Sequence, residues 1–318
     1  MSLKKLGVIM DPIADIHYEK DSTLAMLWEA KKREFEIYYF EMKDLFVRDG
    51  KAYGNSQRLS VFQDPQRWYA FDGAETVELS SLDIILMRKD PPFDSEYIYA
   101  TYILELAEKQ NVLVVNKPQS LRDANEKMFT TWFPECCPPS LVARDMAMLK
   151  AFHQEHRDIV CKPLDGMGGA SVFHVKANDD NVSVILETLT QRQTRFIMAQ
   201  KFIPEIEFGD KRILMINGEP IPFALARVPA KGEWRGNLAA GAKGVAQPLT
   251  TRDRAIAEKV GPVLRAKGLH FVGLDVIGNY LTEINVTSPT CIRELNEQCD
   301  LDIAQVLFAH LESLLRND

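Results

Sequence analysis

The sequence predicts two architectures in succession: a doubly wound α/β domain with a parallel sheet over about residues 1–123, and an α+β body after it. Three observations carry this. In the first part, short apolar runs alternate with helical stretches, the signature of βαβ units. Beyond residue 125 the runs become strand–turn–strand pairs separated by helices. At 318 residues the chain is also long enough for two or three domains with cores of their own.

Residues 6–10 are an apolar run closed by Asp11-Pro12, a buried first strand. Asp21-Ser22 can cap a helix running to about Lys32, with Leu24, Leu27 and Trp28 on one face. Residues 37–40 read as a second strand. From Lys43 to about Glu78 the sequence is polar and uneven, with Asp49-Gly50 as a turn signal, and places only loosely. Residues 84–87 form a strand followed by Arg88-Lys89-Asp90-Pro91-Pro92; residues 95–109 are helical, and 112–115 a strand ending at Asn116-Lys117-Pro118. In doubly wound sheets ligands bind beyond the carboxyl ends of strands. Asp11, Arg88, Asp90 and Asn116 stand at such ends, where solvated loops also lie. Arg88 is the strongest candidate to hold a substrate carboxylate, because a guanidinium can grip it bidentately.

In the second part Asn125-Glu126-Lys127-Met128 starts a short helix, followed by a break at Pro138-Pro139, a strand at 141–143 and a helix from Asp145 to about His156. Strands at 159–161 and 172–175, a helix near 181–190 and a strand at 196–201 complete a small α+β lid, so that the domains run 1–123, 124–202 and 203–318. Residues 196–202 could cross between domains with a free backbone edge that reads adenine, or be an ordinary core strand. Strands at 213–216 and 221–227 flank the Asn217-Gly218 hairpin turn. Residues 228–244 carry four glycines and no apolar period, which suits a mobile active-site loop. Helices follow at 250–267 and 301–316.

Composition narrows the function. With 46% hydrophobic and 26% charged residues this is an ordinary globular chain, and a net charge of −7 argues against a general nucleic-acid binder. Five cysteines include one adjacent pair and no C-x-x-C, so neither a disulfide framework nor a zinc site is expected. The apolar run at 6–10 is too short for a signal peptide and no run approaches a membrane span, which points to the cytoplasm.

Two stretches carry chemistry. Lys162-Pro163-Leu164-Asp165-Gly166-Met167-Gly168-Gly169-Ala170-Ser171 lies between two strands. Its glycines let backbone N–H groups converge on an anion, and the lysine adds a point charge. It is not a P-loop, lacking Gly-x-x-x-x-Gly-Lys-Ser/Thr, nor a dinucleotide fingerprint, since no helix opens on the glycines. A lid closing over a nucleotide remains, or else a plain hairpin turn. The second stretch, residues 271–285, is a hairpin whose apolar strands are interrupted by Asp275, Glu283 and Asn285. Glu283 and Asn285 share a face. A three-residue turn at 278–280 puts Asp275 opposite Glu283 on that face; a two-residue turn puts it on the other. Together the three make a hard-oxygen site suited to Mg²⁺.

With Lys127, Arg212 and Arg227 added, this set resembles the ATP-grasp superfamily. Longer words resemble bacterial glutathione synthetases: Gly7-Val8-Ile9-Met10-Asp11-Pro12-Ile13, Ile85-Leu86-Met87-Arg88-Lys89-Asp90-Pro91-Pro92-Phe93-Asp94 and Asn116-Lys117-Pro118-Gln119-Ser120-Leu121-Arg122-Asp123. So do Lys162 to Ser171, Arg235-Gly236-Asn237-Leu238-Ala239-Ala240-Gly241 and Thr282-Glu283-Ile284-Asn285-Val286-Thr287-Ser288-Pro289-Thr290. The sequence departs from the family at Glu205-Ile206-Glu207-Phe208 and Cys136-Cys137.

The resemblance implies a two-lobed ATP-grasp module behind the first domain, and ATP-dependent ligation of γ-glutamylcysteine to glycine through an acyl phosphate. Lys127, Lys162 and the loop bearing Gly166, Met167, Gly168, Gly169 and Ser171 would hold the phosphates. Gln200, Lys201 and Phe202 would hold adenine, and Asp210 the ribose. Arg212, Arg227 and Arg235 would serve the transfer, and Asp275, Glu283 and Asn285 two Mg²⁺ (or Mn²⁺) ions. Arg88, Asp90, Ser288 and Arg293 would bind substrate, and the assembly would be a homotetramer. Other ATP-grasp ligases, such as D-alanine–D-alanine or ribosomal-protein glutamate ligases, and non-catalytic ATP-binding modules like the synapsin central domain, share the shorter motifs.

Overall fold

Four parallel strands begin the molecule: β1 (Lys5–Ile9), β2 (Glu36–Phe40), β6 (Ile84–Met87) and β7 (Leu113–Val115), in the order β2-β1-β6-β7. Helix α1 (Ser22–Lys32) covers one face and α2 (Ser95–Glu108) the other. Asp21 caps α1, accepting from the Leu24 N–H at 2.6 Å, and Asp94 caps α2 from Tyr97 at 3.0 Å. The loosely placed polar region is three further strands, β3 (Leu45–Arg48), β4 (Lys51–Val61) and β5 (Tyr69–Glu78), which extend the sheet antiparallel beyond β2. A short helix, α3 (Pro118–Asp123), leaves the sheet with proline in its first turn.

The computed structural model describes residues 3–233, 235–236 and 241–315. Asn237, Leu238, Ala239 and Ala240 of the loop motif, and the final Arg316 of the last helix, lie outside these described residues.

The second lobe is a four-stranded antiparallel sheet. It is built from β8 (Ser140–Ala143), β9 (Ile159–Pro163), β10 (Phe173–Val175) and β11 (Ile197–Lys201), in the order β10-β9-β11-β8. Helices α4 (Met146–His156) and α5 (Val182–Leu189) close its own small core around Leu149, Ile159, Leu186 and Ile197. The glycine loop connects β9 to β10, as the strand–loop–strand reading requires. Strand β11 lies inside this sheet, paired with β9 and β8 through Gln200. The free backbone edge considered for 196–202 is therefore absent over the strand; it is a core strand whose last residues reach the cleft.

The third sheet holds β12 (Asp210–Ile216), β13 (Glu219–Val228), β14 (Lys243–Pro248), β15 (Phe271–Ile277) and β16 (Tyr280–Asn285), in the order β14-β13-β12-β15-β16. Helix α6 (Thr251–Ala266) packs on its back, starting from a Thr250–Asp253 capping box. Helices α7 (Ile292–Cys299) and α8 (Ile303–Leu315) pack on its front. Two hydrophobic cores each run across the first and third sheets. Buried Asn116, at the end of β7, stitches them further: its amide donates to the Phe271 and Val286 carbonyls at 2.8 and 2.7 Å and accepts from the Phe271 N–H at 2.9 Å.

Candidate active site

Alternation along β12 sends Asp210 and Arg212 to one face, and pairing extends that face sideways. Arg227 on β13 stands opposite Asp210, Asp275 on β15 opposite Arg212, and Glu283 on β16 opposite Asp275. The turn between β15 and β16 has two residues, Gly278 and Asn279, since Ile277 pairs with Tyr280. A two-residue turn alone would send Asp275 to the other face. A β-bulge intervenes: Val276 pairs with Leu281 but Asp275 with Glu283, and the extra residue is Thr282. The bulge returns Asp275 and Glu283 to one face.

Asp275 is held by two guanidiniums. Arg212 Nε and one terminal nitrogen donate to its two oxygens at 2.6 and 3.1 Å, and Arg227 approaches Oδ2 at 2.9 Å. Burial opposes its charge, but the two arginines hold the carboxyl well below the usual range. Arg227 also donates to Asp210 Oδ2 at 2.5 Å. For Asp210 burial outweighs Arg227, and Asp275 and Glu283 add repulsion, so its pKa rises to about 6.

Glu283 faces two ammoniums. Lys127 Nζ lies 3.6 Å and Lys162 Nζ 3.4 Å from its Oε1, and Lys162 also donates to the Thr282 carbonyl at 3.2 Å. Burial alone would raise the Glu283 carboxyl, but the two lysines bring it below its ordinary value. Burial also pushes Lys162 down, with Glu283 opposing. Lys127 reaches further, donating to the Gly166 carbonyl at 2.7 Å. The glycine loop is thus anchored to the lysine beneath it. Gly168 and Gly169 adopt φ of 63° and 80°, a turn that suits residues without a Cβ.

These residues line a cleft that opens to solvent. Of the sequence-derived candidates it is lined by Lys127, Lys162, Gly166, Met167, Gly168, Gly169, Gln200, Lys201, Phe202, Asp210, Arg235, Asp275 and Glu283. Arg235, in the 228–244 loop, donates to the Gly169 carbonyl at 3.3 Å and pairs with Glu233 at 2.6 Å. Ser171 is exposed and does not line the cleft. Arg212 and Arg227 lie in the floor beneath it. Asn285 shares the face of Glu283, its amide donating to the Gly273 carbonyl at 3.3 Å.

The remaining candidates gather at a second place, where β6 ends. Ser288 donates to Asp90. Arg88 is 7% exposed, donates to Thr23 Oγ1 at 3.1 Å and the Pro289 carbonyl at 2.9 Å, and makes no ion pair among the described residues. A buried guanidinium without a carboxylate partner is poised for an anion. Arg293 lies over the Trp28 ring at 4.6 Å and donates to the Tyr18 carbonyl at 2.6 Å.

Sequence reasoning missed the apolar walls of the cleft, Val160, Ile203, Ile206 and Ile277. Apolar residues in strands read as core whether or not a ligand lies beside them, so no signal marked these. Ile206 belongs to a stretch noted above only as departing from the family words.

Proteins of known family match this chain from end to end. Residues 4–122 match the prokaryotic glutathione synthetase N-terminal domain, and residues 126–300 the prokaryotic glutathione synthetase ATP-grasp domain. The glutathione synthetase of Vibrio parahaemolyticus is 57% identical over 314 residues, covering 99% of each chain. That of Shewanella oneidensis is 58% identical over 311 residues, covering 98% of this chain and 99% of the other. Among solved structures, D-alanyl-alanine synthetase A from Vibrio cholerae is similar over all of both chains, with a TM-score of 0.65 at 13% identity. At that identity the likeness concerns the fold alone.

Proposed function

Because the chain belongs to the prokaryotic glutathione synthetase family, we propose that its cleft joins γ-glutamylcysteine to glycine at the expense of ATP, giving glutathione, ADP and phosphate. One observation supports the site assignment most directly: two lysines and three carboxylates converge beneath a glycine loop in a single cleft, with two arginines paired to those carboxylates in its floor.

A carboxylate is a poor electrophile, so the dipeptide carboxylate first accepts the γ-phosphoryl group, and the amine of glycine then displaces phosphate from the acyl phosphate. Such transfer depends on position and charge more than on covalent chemistry. Lys127 and Lys162 bind the phosphates, and the 165–171 loop closes over them. Gln200, Lys201 and Phe202 bind the adenine side and Asp210 the ribose side. Arg212 and Arg227 stabilise the charge that develops as the phosphoryl moves and as the amine attacks. Arg235 and its loop exclude the water that would hydrolyse the acyl phosphate. Arg88, Ser288 and Arg293 hold the substrate carboxylates, and Asp90 is a further substrate-binding residue beside them.

The donors Asp275, Glu283 and Asn285 suit a hard divalent cation: two carboxylates and an amide oxygen on one face, with the amide N–H₂ already turned onto Gly273. When bound, two such ions, Mg²⁺ or Mn²⁺, neutralise phosphate charge and orient an in-line transfer. We place the reaction in the cytoplasm, where thiols stay reduced; all five cysteines are free. No helix among the described residues is long and apolar enough to cross a membrane. A tetramer is the assembly suggested by the family words.

The test is phosphate release with Mg²⁺, ATP, γ-glutamylcysteine and glycine, omitting one component at a time. Release that requires all four, with glutathione formed in equal amount, is the expected result. Release with another amino acid pair would move the substrate assignment to a different ligase. ATP binding without release under any combination would make the protein a binding module.

A further inference from the structure

Asn125, Glu126 and Lys127 are consecutive, yet their side chains serve two separate parts of the site. Asn125 Nδ2 donates to the Leu164 carbonyl at 3.0 Å, at the root of the glycine loop, and Lys127 Nζ to the Gly166 carbonyl inside it. Glu126 bonds to the metal-side hairpin instead. Its Oε1 accepts from the Val286 N–H at 2.9 Å, the Thr287 N–H at 3.0 Å and Thr287 Oγ1 at 2.8 Å. Its own carbonyl accepts from the Ile284 N–H at 2.9 Å. Residues 284, 286 and 287 are therefore all tied to Glu126, and Asn285 lies between them. Ser288, which bonds Asp90, is the next residue along.

We propose that Glu126 is a positioning residue: it fixes the 284–288 segment, and so Asn285 and Ser288, in register with Lys127 and the glycine loop. The ladder of β16 ends at Asn285, and the next two backbone N–H groups need acceptors. Glu126 supplies one oxygen to both and to the neighbouring hydroxyl. A backbone acceptor would serve the fold equally well, but only a residue adjacent to Lys127 links the metal amide to the phosphate ammonium through a single peptide unit. The inference rests on the roles given above to Lys127 and Asn285.

Magnesium titrations of the full-length enzyme test it, read both as ligation rate and as calorimetric Mg²⁺ binding in the presence of a non-hydrolysable ATP analogue. Glu126→Ala should raise the Mg²⁺ concentration for half-maximal rate and lower kcat, together by about 10–100-fold, the usual effect of removing a residue that orients metal ligands. Glu126→Gln keeps an acceptor oxygen of the same reach and should recover most of the loss. A folded Glu126→Ala enzyme with unchanged Mg²⁺ half-saturation would overturn the proposal, and so would a Gln variant no better than Ala. Should Glu126→Ala fail to fold, Thr287→Val removes only one of the three donors. It should shift the half-saturation in the same direction by less, and no shift would again count against the proposal. Asn285→Ala is the control for the site itself: if it leaves the Mg²⁺ dependence untouched, the metal assignment fails rather than the role of Glu126.

Discussion

The two faces of the β14-β13-β12-β15-β16 sheet both bury charge, and they do so differently. On the back, Lys211 pairs with Asp253 beneath α6 and also donates to the Gly278 carbonyl at 3.2 Å. The other oxygen of Asp253 accepts from the Thr250 N–H at 2.9 Å in the capping box. Every group there has its own partner. On the front, partners are shared: Asp275 between Arg212 and Arg227, Glu283 between Lys127 and Lys162. Lys127, Lys162, Arg212 and Arg227 face Asp210, Asp275 and Glu283, four cations to three carboxylates, and burial already pushes Asp210 towards its neutral form. One face is self-neutralised and belongs to the fold. The other keeps an excess of positive charge suited to a polyanion.

Breaking the front face should give the largest effect. Glu283→Ala is expected to abolish ligation while leaving the circular dichroism spectrum and cooperative unfolding intact. Normal turnover by that variant would sink the metal assignment. Breaking the back face should do the reverse. Asp253→Ala leaves a buried ammonium unpaired and should cost about 3–5 kcal/mol in urea unfolding, with kcat of the folded enzyme unchanged. A stability loss below 1 kcal/mol would mean that the back pair is not structural.

A smaller effect belongs to neither face. His270 Nδ1 and His310 Nε2 lie 3.0 Å apart, where the chain enters β15 beside α8. Burial, and then the neighbouring ring, depress His270 to about 4. The unfolded chain takes up that proton near pH 6.5, the folded one only near 4. Stability from this group is therefore whole above about pH 6.5 and is lost as pH falls to 4, by at most about 2–3 kcal/mol. His270→Phe should flatten the dependence of Tm on pH across that window; an unchanged slope would place the titrating group elsewhere.

Much of this was legible in the sequence, and the gaps have physical causes. The strands β1, β2, β6 and β7 announced themselves because both faces are buried and their runs are apolar. Strand β4 did not, because several of its inward positions are Ala52, Gly54 and Ser56. The bulk there comes from across the sheet: a Cβ on Gly54 would lie 2.6 Å from the Phe40 ring. Helix α7 carries only Ile292 and Leu295 as buried residues, too few to show a period. In the site, Lys162, the glycine loop and the Asp275, Glu283, Asn285 set were visible because charge inside apolar strands needs a reason. Glu126 was not, since a glutamate at the polar start of a short helix reads as solvated until its partners at 286 and 287 are seen.

The extra residue at Thr282 sets the register of the hairpin. Directly opposed residues share a face, so whether Asp275 and Glu283 meet depends on the turn and the bulge together. Two turn residues with one bulge, and three turn residues with none, spell the same arrangement. Were the ladder to close up with Thr282 opposite Asp275, Glu283 and Asn285 would be carried round to the side of Lys211. Losing Thr282 itself would leave Asp275 opposite Glu283 with the bulge gone. The site therefore answers to the register of this hairpin rather than to its length.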